Sequence, residues 1–539
     1  MSPNLLSPVP TSIPADDSYK GSKTGSGANL YQKQIEKIGT QGKFQCRNAH
    51  MALATGPATS THFRGTDQSY GRERATTADT LSDDVLLEIF GFILELSGFH
   101  CFGSNYPLWR WDRLVHVCRR WRQIIFSSPL RLNLQLLCTF GTPVRRRLGC
   151  WPAFPLVVDY GYIQNKDITP EDEDNIFAAL EQCGRVRHID LSVPSLLMAK
   201  LFTVMEEPFP ALTHLLLSCT DGNEQVIPSK FLGGSALHLH EMSFSSIRFP
   251  TIPPILSSAS DLVKLQLNNT PTIPFPFPEA MATFLATLTR LEELSIGFQS
   301  ELPITRHNLT SRPPETAWIV LSAVTSFSFV GDSAYLEDFV ARINTPLLKS
   351  IDIKYPDEEF IQEATELSKL IERSKLQPSQ FLFAEIFFEA NKTTFFLRHQ
   401  TEPNDVTISI QISSWGRLGD QVMDMARMLS QLPDMISDVV SLDIEWEYYE
   451  DVMDYGDFVD INDRWLELFH PFSAVETLRI SYHRVDGVDH EFDKLTTMET
   501  FTQVLPALTL VYLCERSVHE EDEEVSYHFP GSWSPPHGR

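Results

Sequence analysis

The sequence has few cysteines for its length and no long apolar run. Its 539 residues include eight cysteines, scattered without a CxxC pair, so we expect reduced thiols in the cytosol or nucleus instead of a disulfide framework. No apolar run approaches the roughly eighteen residues that a membrane-spanning helix needs. The first residues lack a charged segment followed by an apolar core, so no secretory signal peptide is expected.

Basic residues are also scarce. The chain has 44 lysines and arginines against 70 aspartates and glutamates, a formal net charge of −26. A field of this sign repels phosphates, which disfavours general binding to nucleic acid or to an anionic membrane. Only a local basic patch could bind nucleic acid or an anionic membrane in spite of this field.

Motifs for catalysis and metal binding are missing. The sequence has no GxSxG turn, HExxH helix, GxGxxG turn or P-loop lysine. His238 and His240 lie two residues apart without a third ligand, and the acidic stretch 443–467 lacks the spacing of a calcium-binding loop. We therefore predict a protein that is not an enzyme and has neither a cofactor nor a metal ion.

The composition divides the chain into segments. Residues 1–78 are rich in Ser, Thr, Gly, Pro, Gln and Lys and have almost no apolar periodicity, which predicts a disordered tail. After it we predict a small helical domain over 79–132, a linking or capping segment over 133–154, a repetitive region over 155–515 and an acidic, disordered tail over 516–539.

The helical domain contains two helical patterns. LSDDVLLEIFGFILEL has apolar residues at helical spacing, with Ser82 or Asp83 as its N-cap. A second, continuous helix is predicted from about Trp109 to Phe126. In that helix Cys118 falls on the apolar stripe, which predicts a packing role for the thiol and not a chemical one.

From about residue 155 one pattern recurs. Its apolar residues stand at the first, fourth and sixth positions, and it begins at Val186, Leu212, Leu239, Leu262, Leu291, Val324, Leu348, Phe383, Thr407, Val439, Val475 and Leu508. One strand with one helix or loop per roughly 25–35 residues is typical of a solenoid, whose units stack to share a core. We therefore predict an α/β fold in which parallel strands lie on the concave face of an irregular, curved solenoid.

Alternation along these strands predicts a second set of residues. Every second side chain should point away from the core, onto a face suited to holding a protein substrate. The candidates for this substrate face are Arg187, His188, Asp190, His214, Lys264, Gln266 and Glu292.

Two family resemblances follow from these patterns. LSDDVLLEIF together with LVHVCRRWRQIIFSSPLRL resembles the F-box, with Ser82 where the customary Pro stands. The repeated pattern resembles leucine-rich repeats. The combination, with stretches such as WPAFPLVVDY and EPFPALTHL, looks like the F-box proteins of mushroom-forming fungi.

The F-box resemblance implies a partner. F-box proteins dock onto a Skp-family adaptor in a cullin-based ubiquitin ligase, and their C-terminal repeats hold the protein substrate. Two short amphipathic helices make a poor core on their own, so apolar groups left over would be buried against a partner. Carried onto this sequence, the adaptor contacts are Leu81, Val85, Ile89, Leu114, Val117, Cys118 and Trp121.

Two other interpretations stay open. The chain could be a repeat-based interaction scaffold whose degenerate F-box, with Ser82 for Pro, binds no adaptor. It could also be a nucleic-acid-associated protein, because nine arginines lie between Arg110 and Arg147 against the single acid Asp112. Electrostatic attraction of an acidic adaptor is the alternative use of these arginines.

Overall fold

The computed structural model describes most of the chain after residue 79. The described residues are 80–97, 111–161, 167–248, 254–270, 277–298, 318–356, 364–374, 376, 382–398, 406–413, 418–446, 461–483, 504–516 and 523–528. The chain divides into two units, Met1–Thr76 and Thr77–Arg539. The first unit and the predicted tail over 1–78 lie outside the described residues.

The second unit has a mixed α/β fold built on one large, mostly parallel sheet, so the predicted fold class is confirmed at this level. Among the described residues, sixteen strands form the sheet in the order β1-β2-β3-β4-β6-β8-β9-β11-β13-β16-β15-β14-β17-β18-β19-β20. Two short parallel pairs, β5 with β7 and β10 with β12, lie outside it. The strands are β1 Leu136–Cys138, β2 Leu156–Tyr160, β3 Val186–Val193, β4 His214–Cys219, β5 Gln225–Val226, β6 Glu241–Ser245, β7 Ile247–Arg248, β8 Lys264–Thr270, β9 Glu293–Phe298, β10 Ile319–Val320, β11 Ser326–Val330, β12 Ile343–Asn344, β13 Ser350–Tyr355, β14 Phe383–Glu389, β15 Lys392–Arg398, β16 Val406–Ser413, β17 Ser441–Trp446, β18 Thr477–His483, β19 Leu510–Arg516 and β20 Glu523–His528.

Helices precede the sheet and connect most of its strands. They are α1 Asp83–Ser97, α2 Trp111–Val115, α3 Arg119–Ser127, α4 Val144–Cys150, α5 Pro170–Leu180, α6 Ser195–Val204, α7 Pro254–Ser258, α8 Pro278–Leu285, α9 Ser333–Val340, α10 Thr365–Arg373, α11 Leu418–Leu429, α12 Pro433–Ile436 and α13 Ile461–Phe469. None of the helices that the structure describes is long and apolar enough to cross a membrane.

The repeated sequence pattern marks real strands, since each of its predicted copies coincides with a strand of the large sheet. The reason is the alternation of apolar side chains. In β4, Leu215, Leu217 and Cys219 are buried while the residues between them are half-buried. Those buried side chains and the apolar faces of the helices that connect the strands belong to one continuous core. Burial of each such leucine contributes roughly 2 kcal/mol to the stability of the fold.

Local sequence signals set the start of α5. Thr169 caps the helix, its hydroxyl accepting from the Asp172 amide at 3.1 Å while the Asp172 carboxylate accepts from the Thr169 amide at 3.2 Å. Pro170 occupies the first turn, where a missing N–H costs nothing. This reciprocal capping box sets where the helix begins.

The expectation of parallel strands throughout is wrong at two places. The two-residue turn Ala390–Asn391 reverses the chain between β14 and β15, and β15 then runs antiparallel to both β14 and β16. A turn this short can join only antiparallel strands. The last strand, β20, is also antiparallel to β19.

Two predicted segments contain strands of the sheet. The linking or capping segment 133–154 contains β1 and α4, and β1 pairs in parallel with β2 as the first strand of the sheet. The segment 516–539, predicted as an acidic tail, contains β20, which pairs with β19. The three residues of β1 are too few to give a recognisable pattern, and acidic residues flank β20 in the sequence.

Candidate functional site

The N-terminal helical segment, residues 80–134, has a small core separate from that of the sheet. It consists of buried side chains from α1, α2 and α3, among them Leu86, Phe90, Val115 and Ile125. The Trp121 ring packs on Phe90, with the ring centroids 4.8 Å apart. Each of these three helices therefore buries one face in this core.

Ser82 starts the first helix. Its hydroxyl accepts a hydrogen bond from the Val85 amide at 3.4 Å, and its carbonyl accepts from the Leu86 amide at 3.0 Å. Asp83, in the first turn, forms an ion pair with Arg120 of α3 at 2.6 Å. The serine at this position thus acts as the predicted N-cap.

The second face of α1 is apolar and exposed. Val85, Ile89, Phe92 and Ile93 are all exposed, Phe92 at 61%, and their spacing places them on one side of the helix. Val117, 58% exposed, comes from the turn between α2 and α3. We call these five residues the apolar patch. A helix that is apolar on both faces normally buries both, so the patch is unusual for a surface.

The predicted adaptor contacts separate into two groups. Val85, Ile89 and Val117 belong to the apolar patch. The others are less exposed: Leu81, Leu114 and Trp121 pack against the core of the segment, and Cys118 is half-buried.

The predicted continuous second helix is wrong. It is divided into α2 and α3 by a break at 116–118. Cys118 has extended backbone angles, and its Sγ accepts a hydrogen bond from the Trp121 amide at 3.4 Å. The thiol therefore caps α3 instead of lying on a helical stripe. Cysteine is not a usual cap, and for this reason the sequence did not show it.

Several of the described arginines in the basic cluster contact this chain itself. Besides Arg120, Arg122 donates to the Val115 carbonyl at 2.9 Å, Arg131 pairs with Glu88, and Arg145 pairs with Asp174 at 2.7 Å. Arg110 lies outside the described residues. These contacts reduce the positive charge that a nucleic acid could meet.

An aromatic cluster joins the helical segment to the start of the sheet. Trp151, which follows α4, packs against both cores. Its ring lies 5.1 Å from the Trp111 ring and 5.8 Å from the Phe126 ring. The Trp111 indole also donates to the Gln135 carbonyl at 2.7 Å, next to β1. Aromatic packing of this kind stabilises a fixed arrangement of the two parts.

The strand face opposite the helices carries rows of polar side chains, which we call the open face. One row runs through His188, His214, Glu241, Lys264, Glu293, Ser326 and Ser350. The next row runs through Asp159, Asp190, Leu216, Ser243, Gln266, Ser295, Ser328, Asp352, Ser409, Phe396, Glu385, Asp443 and Arg479. Most of these side chains are half-buried.

Most of the predicted substrate-face residues lie in these two rows, namely His188, Asp190, His214, Lys264 and Gln266. His188, however, is only 3% exposed. Arg187 is exposed at a register shift in β3, outside the rows. Glu292 precedes β9, and Glu293 occupies the row in its place.

Sequence reasoning missed several charged members of the open face. Glu241, Glu385 and Asp443 each stand one position away from a buried residue of the repeated pattern, whereas Arg398 stands in β15, which has no copy of it. The alternation that identified the other candidates was sufficient to find Glu241. The ion pair of Glu385 with Arg398, 2.8 Å apart, depends on the β14–β15 turn, which the repeat did not reveal.

Burial perturbs the titration of the groups at the β2–β4 end. Burial, together with the carboxylates of Asp159 and Glu241, raises the pKa of Asp190 to about 7. Burial also lowers the pKa of His188 to about 3, with a contribution from His214. The histidines are therefore neutral at physiological pH, and Asp190 is partly protonated.

A charged triad follows on the next strands. The Lys264 ammonium lies 3.4 Å from a carboxylate oxygen of Glu241 and 3.4 Å from one of Glu293. Burial alone would lower the pKa of Lys264, but the two carboxylates raise it overall. Lys264 is thus held charged between acids from the two neighbouring strands.

Among the described residues no group of three or more His, Cys, Asp or Glu side chains is placed to hold a metal ion. The apolar patch and the open face are suited instead to contact with other macromolecules. No protein-family model matches the chain, and no curated protein matches it. Its role is therefore inferred from its own residues.

Proposed function

We propose that this protein is a substrate-recognition adaptor of a Skp/cullin/F-box-type ubiquitin ligase. In this proposal the helical segment is an F-box that docks to a Skp-family adaptor, and the sheet with its helices is an irregular, leucine-rich-repeat-like solenoid that holds a protein substrate. The function needs no active site in this chain, because its mechanism is to position one protein beside another.

The observation that carries the proposal is the apolar patch. Four large apolar side chains, Val85, Ile89, Phe92 and Ile93, are exposed on one face of α1, and Val117 is exposed in the turn between α2 and α3. In the sheet region, Leu196, Leu237 and Phe277 lie far apart along the sequence, and Trp318 and Val320 form a smaller exposed pair. Contiguous apolar surface indicates a binding site, and a helix face of this kind fits the apolar groove or helices of a partner.

The aromatic cluster around Trp151 supports a positional role. A ligase adaptor must hold its two binding surfaces at a fixed separation for ubiquitin to reach the substrate. Trp151 contacts both cores, so the helical segment and the sheet are packed together.

A repeat-based scaffold without a ligase partner is the second candidate. The break at 116–118 favours it, because Leu114, Val117 and Cys118 do not lie on one continuous helix. A nucleic-acid role is less favoured, since Arg120, Arg131 and Arg145 already pair with acids of this chain.

Co-purification with a Skp-type adaptor tests the proposal. We expect the full chain to recover the adaptor, and Ile89→Asp with Val117→Asp to lose about tenfold or more of that recovery, because a charge would be buried at the contact. Leu196→Asp is the matched control, since Leu196 is 79% exposed on α6, away from the patch. Failure of the wild-type chain to bind any Skp-type adaptor would refute the proposal and favour the second candidate, a scaffold without a ligase partner.

A further inference from the structure

The open face carries more carboxylates than lysines and arginines in the rows that the structure describes, although β13 is balanced and β15 carries only cations. The acids are Asp159, Asp190, Glu241, Glu293, Asp352, Glu385, Glu389, Asp443 and Glu445, and the cations are Lys264, Lys354, Lys392, Arg398 and Arg479. A partner that meets this face must supply positive charge, or carboxylates lose water without compensation.

Lys264 shows how the face accommodates a cation. Its ammonium lies between Glu241 and Glu293, which stand on the strands on either side of it. Glu241 is 22% and Glu293 53% exposed at the side chain. Both carboxylates can therefore accept further hydrogen bonds from a lysine or arginine that approaches from solvent.

A second acidic group lies further along the sheet. Glu385 of β14 is the register partner of Asp443 of β17, and Glu445 stands two residues further on. Burial raises the pKa of Asp443, which Arg479 and Arg398 lower in part and Glu445 raises again. The Phe387 and Phe396 rings meet on the same face, with their centroids 5.7 Å apart. The face thus combines acids with apolar surface for the stem of a long basic side chain.

We propose that the open face binds a lysine- or arginine-bearing segment of a partner protein. This rests on the proposed function only in naming that partner as the ligase substrate. Adjacent strands are roughly 4.8 Å apart, so Glu241 and Glu293, two strands apart, are separated by roughly 10 Å. A polyproline-II peptide rises roughly 3.1 Å per residue with three residues per turn, so basic residues three positions apart lie on one side and roughly 9 Å apart. This matches the spacing when the peptide crosses the strands.

Binding of a synthetic peptide to the full chain tests the proposal. The probe is a fluorescein-labelled peptide with lysine at every third position and glycine and serine between, measured by fluorescence anisotropy. Glu241→Gln with Glu293→Gln should weaken binding by about threefold to tenfold. Lys264→Gln should strengthen it by about threefold, because the internal cation no longer competes with the peptide.

The controls make the same charge changes on the helix side of the molecule. Glu206→Gln with Glu207→Gln removes two exposed carboxylates after α6. Lys200→Gln removes a lysine that pairs with Glu173 at 2.7 Å. Both controls should bind the peptide within about twofold of the wild type if local contacts decide affinity.

Two results would overturn the inference. If the control and open-face variants change affinity equally, the peptide follows the net charge of the chain and not this face. If a peptide with glutamate in place of lysine binds equally well, the face does not select cations. Recovery of the Skp-type adaptor is expected to depend on Ile89 and Val117, which lie outside the open face. Either proposal can therefore fail while the other holds.

Discussion

Asp190→Asn should make the folded protein more stable at alkaline pH. Asp190 is half-buried on the open face, and burial with the Asp159 and Glu241 carboxylates raises its pKa from the ordinary 3.8 to about 7. At about 1.36 kcal/mol per pKa unit, this difference limits the destabilisation by the ionised carboxylate to about 4 kcal/mol. The introduced amide also needs hydrogen-bond partners, so we expect a net gain of about 1–2 kcal/mol at alkaline pH.

The sign of the pH dependence follows from the direction of this pKa. Because the pKa in the folded chain is higher than in the unfolded chain, the bound proton stabilises the fold. That contribution is fully present below about pH 4 and is lost as the pH rises through about 7. The amide does not titrate, so the advantage of the variant should grow over this window and vanish at its acidic end.

Urea unfolding of the full chain at about pH 5 and about pH 8 measures this effect, with the nine tryptophans as the fluorescent signal. Asp352→Asn is the control, since Asp352 stands in the same row with Lys354 at 3.3 Å. It removes the carboxylate that pairs with Lys354, so it should not stabilise the fold at either pH. A stability difference for Asp190→Asn that is equal at both pH values would refute the reasoning.

Three further changes test the packing. Thr169→Ala should lower the free energy of unfolding by about 1 kcal/mol in the same urea assay, because the capping box is lost. Thr203→Ala is the control, since its exposed hydroxyl bonds within its own helix, and it should change this free energy by less than about 0.5 kcal/mol. Trp151→Ala should lower the free energy of unfolding by about 2–3 kcal/mol and make the helical segment more sensitive to limited proteolysis than the sheet. Equal sensitivity of the two parts would contradict the role of Trp151 in packing them together. Gly161→Ala would place a methyl carbon 2.7 Å from a carboxylate oxygen of Asp190, so we expect a loss of about 1–2 kcal/mol, and an unchanged unfolding midpoint would contradict that crowding.

The repeating part of the fold could be predicted because each unit buries the same face. Leu215 and Leu217 in β4, like Phe327 and Phe329 in β11, are buried at alternating positions, and alternation can be read from a single sequence. The β14–β15–β16 arrangement could not be predicted in this way. Thr393 takes a buried position in β15 where the pattern expects an apolar residue, so this strand has no recognisable copy of the repeat.

The candidate surfaces were predicted in part, for a physical reason. A residue type and its spacing indicate which helix face is apolar, but not which of two apolar faces the rest of the chain covers. Val85 and Leu86 are neighbours of similar character, yet Val85 is exposed and Leu86 is buried. Only tertiary packing distinguishes them, and the same holds for His188, whose burial depends on strands far away in the sequence.

The chemistry of the two surfaces suits two different kinds of association. Contact through the apolar patch gains from removing side chains such as Phe92 from water, which changes little with salt and favours a lasting complex. Contact through the charged open face gains from attraction between ions, which speeds association and weakens as salt increases. An adaptor of the proposed kind needs both, because it stays attached to its ligase while substrates bind and leave. Raising the salt concentration should therefore release a basic peptide from the open face while a Skp-type adaptor remains bound, and loss of both together would argue against separate roles.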